Sequence, residues 1–196
     1  MSRLYLDKMV VDEEGLLGPA PRLLLWLHGC ERNCPGCIAA DWNRAPAQYS
    51  LSVGTLLQLI RGNPALEGVT ISGGEPFLQA EALGELVAGI NKGIIVYSGY
   101  TKAELEQRGS DAVEQILKKI DVLIDGAYVE ELDDNQAFRG SSNQNIHLLT
   151  DRYQTFYAAS SARKTKIEQK DGFLYLYGIP DEQAKKEWLL RKKAAK

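Results

Sequence analysis

The sequence predicts an α/β fold: a partial, laterally open (β/α) barrel followed by a C-terminal hairpin and helix. Short apolar runs of strand length alternate with amphipathic helical patterns, which argues for parallel strands joined by right-handed crossovers. Four polar or glycine-rich segments each follow such a run, placing them at the carboxyl ends of strands, where folds of this kind gather their chemistry. With about five strands a barrel stays partial and leaves its side open.

Taken in order, residues 3–11 alternate loosely as a strand and turn away at Asp12-Glu13-Glu14-Gly15. Arg22 to Leu27 is a near-continuous apolar run, as expected of a strand buried on both faces. A cysteine-rich loop follows it. Ser52 can cap a helix whose apolar face includes Val53, Leu56, Leu57 and Ile60. Val69-Thr70-Ile71 forms the next strand and ends in Ser72-Gly73-Gly74-Glu75-Pro76, ahead of a helix from about Leu78 to Ile90. Gly93 to Tyr97 runs into Ser98-Gly99-Tyr100-Thr101, and two short helical patterns follow, around Leu105 and around Val113, Ile116 and Leu117. Asp121 to Ile124 leads to Asp125-Gly126, and Ile146-His147-Leu148-Leu149 closes the core after a polar stretch. Residues 1–150 thus read as the core and 151–196 as an extension, in which Asp171-Gly172 signals a hairpin turn and Pro180-Asp181 opens a helix. The basic tail from Arg191 reads as a solvated helix end.

At 196 residues and 44% hydrophobic, the chain has enough apolar material to build a core without staples. A net charge of −3 offers no electrostatic case for nucleic acid. The start, Met1-Ser2-Arg3-Leu4-Tyr5, lacks a signal-peptide hydrophobic region, and Leu23 to Leu27 is too short to cross a bilayer. A reducing cytoplasm is the expected compartment. No Walker loop, GxGxxG or Ser/His/Asp constellation is present.

All three cysteines lie in Cys30-x-x-x-Cys34-x-x-Cys37. An odd count at short spacing is not a disulfide framework. A structural zinc site needs four ligands, so it would have to recruit His28 or His147. Three thiolates do hold three irons of a four-iron cube and leave the fourth open to a ligand. Gly29, Pro35 and Gly36 let such a loop curl and aim N–H groups at sulfur.

The cysteine spacing resembles the cluster motif of the radical S-adenosylmethionine (SAM) superfamily, and Ser72-Gly73-Gly74-Glu75-Pro76 resembles its second signature. Within it, Cys34-Pro35-Gly36-Cys37, Trp42, Asp121 to Gly126 and Arg139-Gly140-Ser141-Ser142-Asn143-Gln144 resemble the activating component of anaerobic ribonucleotide reductase. The resemblance spans roughly residues 3–150. It implies a [4Fe-4S] cluster on Cys30, Cys34 and Cys37, with SAM chelating the open iron. Reductive cleavage of SAM would then give a 5′-deoxyadenosyl radical that makes a glycyl radical on a partner enzyme. It further implies that Gly36, Ile38, Ser72, Gly73, Gly74, Glu75, Ser98 and Asp125 attend SAM. Glu75 would face the ammonium, Ser98 the ribose, and Asp125 the carboxylate through a monovalent cation. No catalytic residue is implied beyond the cluster and SAM, and the electron donor would be flavodoxin-like. For Asp125 and Ser98 an ordinary turn role competes, and His147 reads as a satisfied strand residue. Two further readings stand beside this one: a radical SAM enzyme acting on a small molecule or peptide, like the carboxy-deazaguanine synthases, and a non-enzymatic metal module.

Overall fold

Seven strands hydrogen-bond into one mixed sheet. They are β1 (Arg3–Asp12), β2 (Arg22–Leu27), β3 (Tyr49–Ser52), β4 (Gly68–Gly73), β5 (Gly93–Ser98), β6 (Val122–Asp125) and β7 (Asn145–Leu148), in the spatial order β3-β1-β2-β4-β5-β6-β7. A computed structural model describes residues 2–40, 45–159, 162–170 and 173–194. Trp42 and the Asp171-Gly172 turn lie outside the described residues.

The centre of the sheet, β2-β4-β5-β6, is parallel, as the alternating pattern predicts. The margins are not. β1 pairs antiparallel with both β2 and β3, and β7 pairs antiparallel with β6. Parallel neighbours need a crossover long enough to traverse one face, usually a helix. Residues 13–21 form no helix, and residues 126–144 only a short 3-10 turn, Glu130–Leu132, so the chain doubles back instead. β3 is an addition to the expected strands. It is brief and half exposed, and it shows no apolar run that would announce it.

Four helices cover one face: α1 (Val53–Arg61), α2 (Ala80–Gly89), α3 (Lys102–Gln107) and α4 (Asp111–Lys119). Ser52 accepts from the Thr55 N–H at 3.0 Å to start α1, and a reciprocal Thr101–Glu104 box starts α3. The helix expected from about Leu78 divides into a 3-10 turn, Pro76–Gln79, and α2. Leu56, Ile60, Leu83, Leu86, Leu105 and Ile116 meet Leu23, Leu25, Leu27, Val69, Ile71 and Val96 in the main core. These strand residues alternate with Leu24, Trp26 and Ile95, which point to the other face.

That second face is covered by the C-terminal segment. Tyr153 and Tyr157, the latter in α5 (Gln154–Ala159), pack on Ile95, Val122 and Ile124. Beyond them β8 (Thr165–Lys170) and β9 (Phe173–Gly178) pair antiparallel, and α6 (Glu182–Ala194) follows. Tyr177 of β9 packs with Leu16, Leu17 and Leu24. Among the described residues no helix is long and apolar enough to cross a membrane.

Candidate functional site: a cysteine-lined cavity at the carboxyl ends of the parallel strands

Because β2, β4 and β5 run parallel, the segments leaving their carboxyl ends emerge on one edge. A cavity of about 920 Å³ opens there. Cys30, Cys34, Gly36, Cys37 and Ile38 line it after β2; Ser72, Gly73, Gly74 and Glu75 line it after β4; Ser98 and Gly99 line it after β5. Gly126 reaches it after β6, whereas Asp125 does not. A smaller cavity, about 450 Å³, lies by Phe138, Arg139, Ile146 and Tyr157 and contains no cysteine.

Main-chain hydrogen bonds set the cysteine loop on its base. The Gly74 N–H donates to the Leu27 carbonyl and the Glu75 N–H to the Gly29 carbonyl, both at 2.7 Å. Gly73 sits at φ +117°, and a Cβ there would stand 2.3 Å from the Leu27 backbone N and O. No side chain fits that contact, so the glycine is a steric requirement. Gln79 reinforces the seam by donating to the carbonyls of Tyr5 and His28, each at 3.0 Å. His28 in turn holds Asp7 through Nδ1 at 2.9 Å.

Within the loop the three thiols are free and half-buried. The Arg32 N–H points at Cys30 Sγ across 3.5 Å, the donor-to-sulfur arrangement expected of a loop curled over a cluster. Gly36 turns at φ +71°, and a Cβ there would meet the Glu130 carboxylate at 2.7 Å. Burial pushes the Cys37 thiol above its ordinary pKa, and the neighbouring Cys34 and Cys30 add to the shift. Among the described residues no three His, Cys, Asp or Glu side chains gather tightly enough to share one metal ion. A cubane asks for a wider arrangement, since each thiolate takes a different iron. Arg32 also lines the cavity. Its Nη2 pairs with Glu104 at 2.8 Å and its guanidinium lies 4.3 Å over the Tyr100 ring, while its Nε is buried without an acceptor among the described residues. A guanidinium lining the same cavity as three thiols suits an anionic group there.

The carboxylates named by motif are engaged by the protein itself. Glu75 is fully buried and accepts from Ser98 Oγ at 3.0 and 3.1 Å, from the Gly99 N–H at 2.7 Å and from the Phe77 N–H at 3.0 Å. Burial raises its pKa, and these donors oppose the rise. It braces the loop after β4 against the loop after β5. Ser98 is committed to the same brace, and also accepts from the Tyr100 N–H at 3.0 Å. Asp125 pairs with His147 Nε2 at 2.9 Å and accepts from Asn145 at 3.3 Å and from the Lys102 N–H. These three donors hold β6, β7 and the start of α3 together.

Several residues of the cavity carry no motif. Register slips between Leu6 and Lys8 on β1, and Lys8 lines the cavity beside Asp7. The Lys8 ammonium stands 3.2 Å from the Tyr175 ring centroid and 4.1 Å from that of Tyr177. Burial lowers its pKa to about 8, with Glu168 opposing the shift and Lys170 assisting it. Tyr128, Lys185 and Trp188 also line the cavity. A bulge brings in Lys8, the stretch after β6 brings in Tyr128, and α6 brings in Lys185 and Trp188, none of them through a local pattern in the sequence.

A model of the 4Fe-4S single cluster domain family matches residues 16–147, two thirds of the chain and all three cysteines. The chain belongs to that family. Its relatives include three proteins named anaerobic ribonucleoside-triphosphate reductase-activating protein. That of enterobacteria phage T4 is 30% identical over 144 residues, covering 68% of this chain and 88% of the relative. That of Vibrio cholerae is 33% identical over 145 residues, covering 68% and 91%. That of Escherichia coli K12 is 32% identical over 144 residues, covering 67% and 91%. The relatives are thus matched over nearly their whole length, while this family member carries about a third of its chain besides. The family description accounts for the iron–sulfur character of the cysteine loop.

Proposed function

We propose that this protein is a radical SAM activase, which cleaves SAM reductively at a [4Fe-4S] cluster to place a glycyl radical on an anaerobic ribonucleotide reductase or a similar partner. One observation carries the reading: three half-buried thiols and the glycine loop after β4 converge on one cavity. The names of the relatives point the same way. In this reading the open sheet serves as the superfamily's partial barrel.

Cys30, Cys34 and Cys37 would hold the cluster through their thiolates. When bound, cluster and SAM supply one-electron chemistry that ends in hydrogen abstraction. The balance is one electron and one SAM consumed per glycine hydrogen removed, with methionine and 5′-deoxyadenosine released. A flavodoxin-like protein in the cytoplasm would supply the electron. The chain's own residues do the positioning. Gly73 and Gly74 line the cavity with backbone rather than side chain, and their main-chain carbonyls would meet the cosubstrate's ammonium. Glu75 keeps that loop in register with Gly99 through the bonds described above. Arg32 lines the same cavity as the thiols and brings a positive charge to it.

The test is anaerobic. Iron- and sulfide-loaded protein, dithionite and SAM should release 5′-deoxyadenosine, and adding an anaerobic reductase should produce a glycyl radical doublet in electron paramagnetic resonance. Nucleoside release without a doublet on any glycyl radical enzyme would favour a small-molecule substrate, as in the carboxy-deazaguanine synthases. The C-terminal residues lining the cavity speak for that second reading. No nucleoside release sinks both.

A further inference from the structure

The matched family domain ends at residue 147, but the cavity around the cysteines does not end with it. Leu174, Tyr175 and Leu176 of β9, Ile179 just beyond, and Lys185 and Trp188 of α6 line the same space as the three thiols. We propose that residues 162–170 and 173–194 form a fixed wall of the cysteine cavity, one that admits a substrate no thicker than a single extended chain and turns folded surfaces away. Under the activase reading above, on which the identity of the substrate rests, it is this segment outside the matched domain that restricts entry to the partner's glycine-bearing stretch.

The wall is seated, not draped. Behind it, Tyr177 packs into the cluster of Leu16, Leu17 and Leu24 and lies 6.2 Å from Trp26, on the sheet face that α1 to α4 leave uncovered. One margin is pinned to the core at Glu14, whose carbonyl accepts from Lys164 at 3.0 Å and whose carboxylate pairs with Lys166 at 2.7 Å. Lys8, lodged against the rings of Tyr175 and Tyr177, holds the middle.

The start of the segment is also pinned by Arg163, whose side chain is only 4% exposed. It pairs with Asp133 at 2.7 Å and donates to the carbonyls of Arg139 and Gly140 at 2.7 and 3.1 Å. Lys185 adds a bond to the Tyr128 hydroxyl at 2.9 Å. Residues 163 to 166 thus fix the start of the segment to the stretches after β1 and β6, and Lys185 fixes its helix to the stretch after β6. The cavity, about 920 Å³ and partly open to solvent, lies near the upper end of the roughly 300–1,000 Å³ of small-ligand pockets, far below what a folded domain needs.

Thiol labelling tests the wall directly, because the chain has three cysteines and all of them line this cavity. The full-length, iron-free protein is treated with iodoacetamide and, separately, with a maleimide carried on a polyethylene glycol chain. Each rate is divided by that of the same chain unfolded in urea. The wall predicts that the bulky reagent is slowed at least about tenfold more than the small one, as when labelling waits on a rare opening. Arg163→Met and the gentler Asp133→Asn should recover most of that loss for the bulky reagent while leaving iodoacetamide within about twofold. Equal slowing of both reagents in the native protein overturns the proposal, as does a bulky-reagent rate that neither variant raises. If Arg163→Met fails to fold, both rates rise together to the unfolded values, and the native ratio with Asp133→Asn decides. The assay uses no SAM, electron donor or partner. A protein that passes it yet makes no glycyl radical refutes the activase reading and leaves the wall standing.

Discussion

Gly73 shows how much a missing side chain can decide. Its Cβ would overlap the Leu27 backbone at the point where β2 and β4 pair Leu27 with Gly73, and its φ of +117° strains any other residue. Gly73→Ala should therefore cost more than about 2 kcal/mol in urea unfolding, combining backbone strain with a broken pair. The variant should also retain less iron after anaerobic loading, since the cysteine loop rests on this seam. Unchanged stability and iron content would show that the contact relaxes freely. The sequence marks Gly73 plainly, because two glycines at a strand end are rare without cause. It does not reveal that Glu75 spends both oxygens on Ser98, Gly99 and Phe77. That depends on β5 landing beside β4, a tertiary outcome that no local pattern encodes.

Among the elements, β4, β5 and β6 are legible for a physical reason. Strands buried on both faces must be apolar throughout, and Val69 to Ile71, Ile94 to Val96 and Val122 to Ile124 are nearly so. β3 escapes detection because an exposed edge strand needs no such run. The slip in β1 escapes because a bulge is one extra residue, silent in composition. The attachment of β8 and α6 to the core turns on Asp133. Burial of this carboxylate opposes its charge, but the Arg163 guanidinium, the Asn135 N–H and Lys185 more than compensate and hold its pKa below the ordinary 3.8. A group depressed in this way stabilises the folded form above its unfolded pKa, and the contribution fades as pH falls through the folded value. Relative to the intrinsic exchange rate at each pH, backbone amides of β8 and β9 should thus be less protected below about pH 4 than at pH 7. In Asp133→Asn that acid step should shrink, and an identical step in both proteins would remove Asp133 from the attachment.

At the scale of the whole molecule, one buried cation ties the layers together. Arg22 is fully buried and pairs with no carboxylate among the described residues. It donates to Thr70 at 2.8 Å, to the carbonyls of Val69, Gly93 and Pro19 at 2.8, 3.3 and 3.3 Å, and to the Tyr153 hydroxyl at 2.9 Å. β2, β4, β5 and the segment leading into α5 therefore meet at one guanidinium. Arg22→Met relieves a buried charge but strands several acceptors at about 1–3 kcal/mol each, so the net loss in global unfolding free energy should be about 3–5 kcal/mol. Stability within about 1 kcal/mol of the parent would mean that the acceptors find other donors. The main-chain stitches from Gly74 to Leu27 and from Glu75 to Gly29 have a longer reach than any of these side chains. They involve only peptide groups, so the residues between Gly29 and Cys37 other than the cysteines and Gly36 can diversify while the loop keeps its footing. Where metal-bearing loops are grafted into new scaffolds, this footing is the part to transplant with the cysteines.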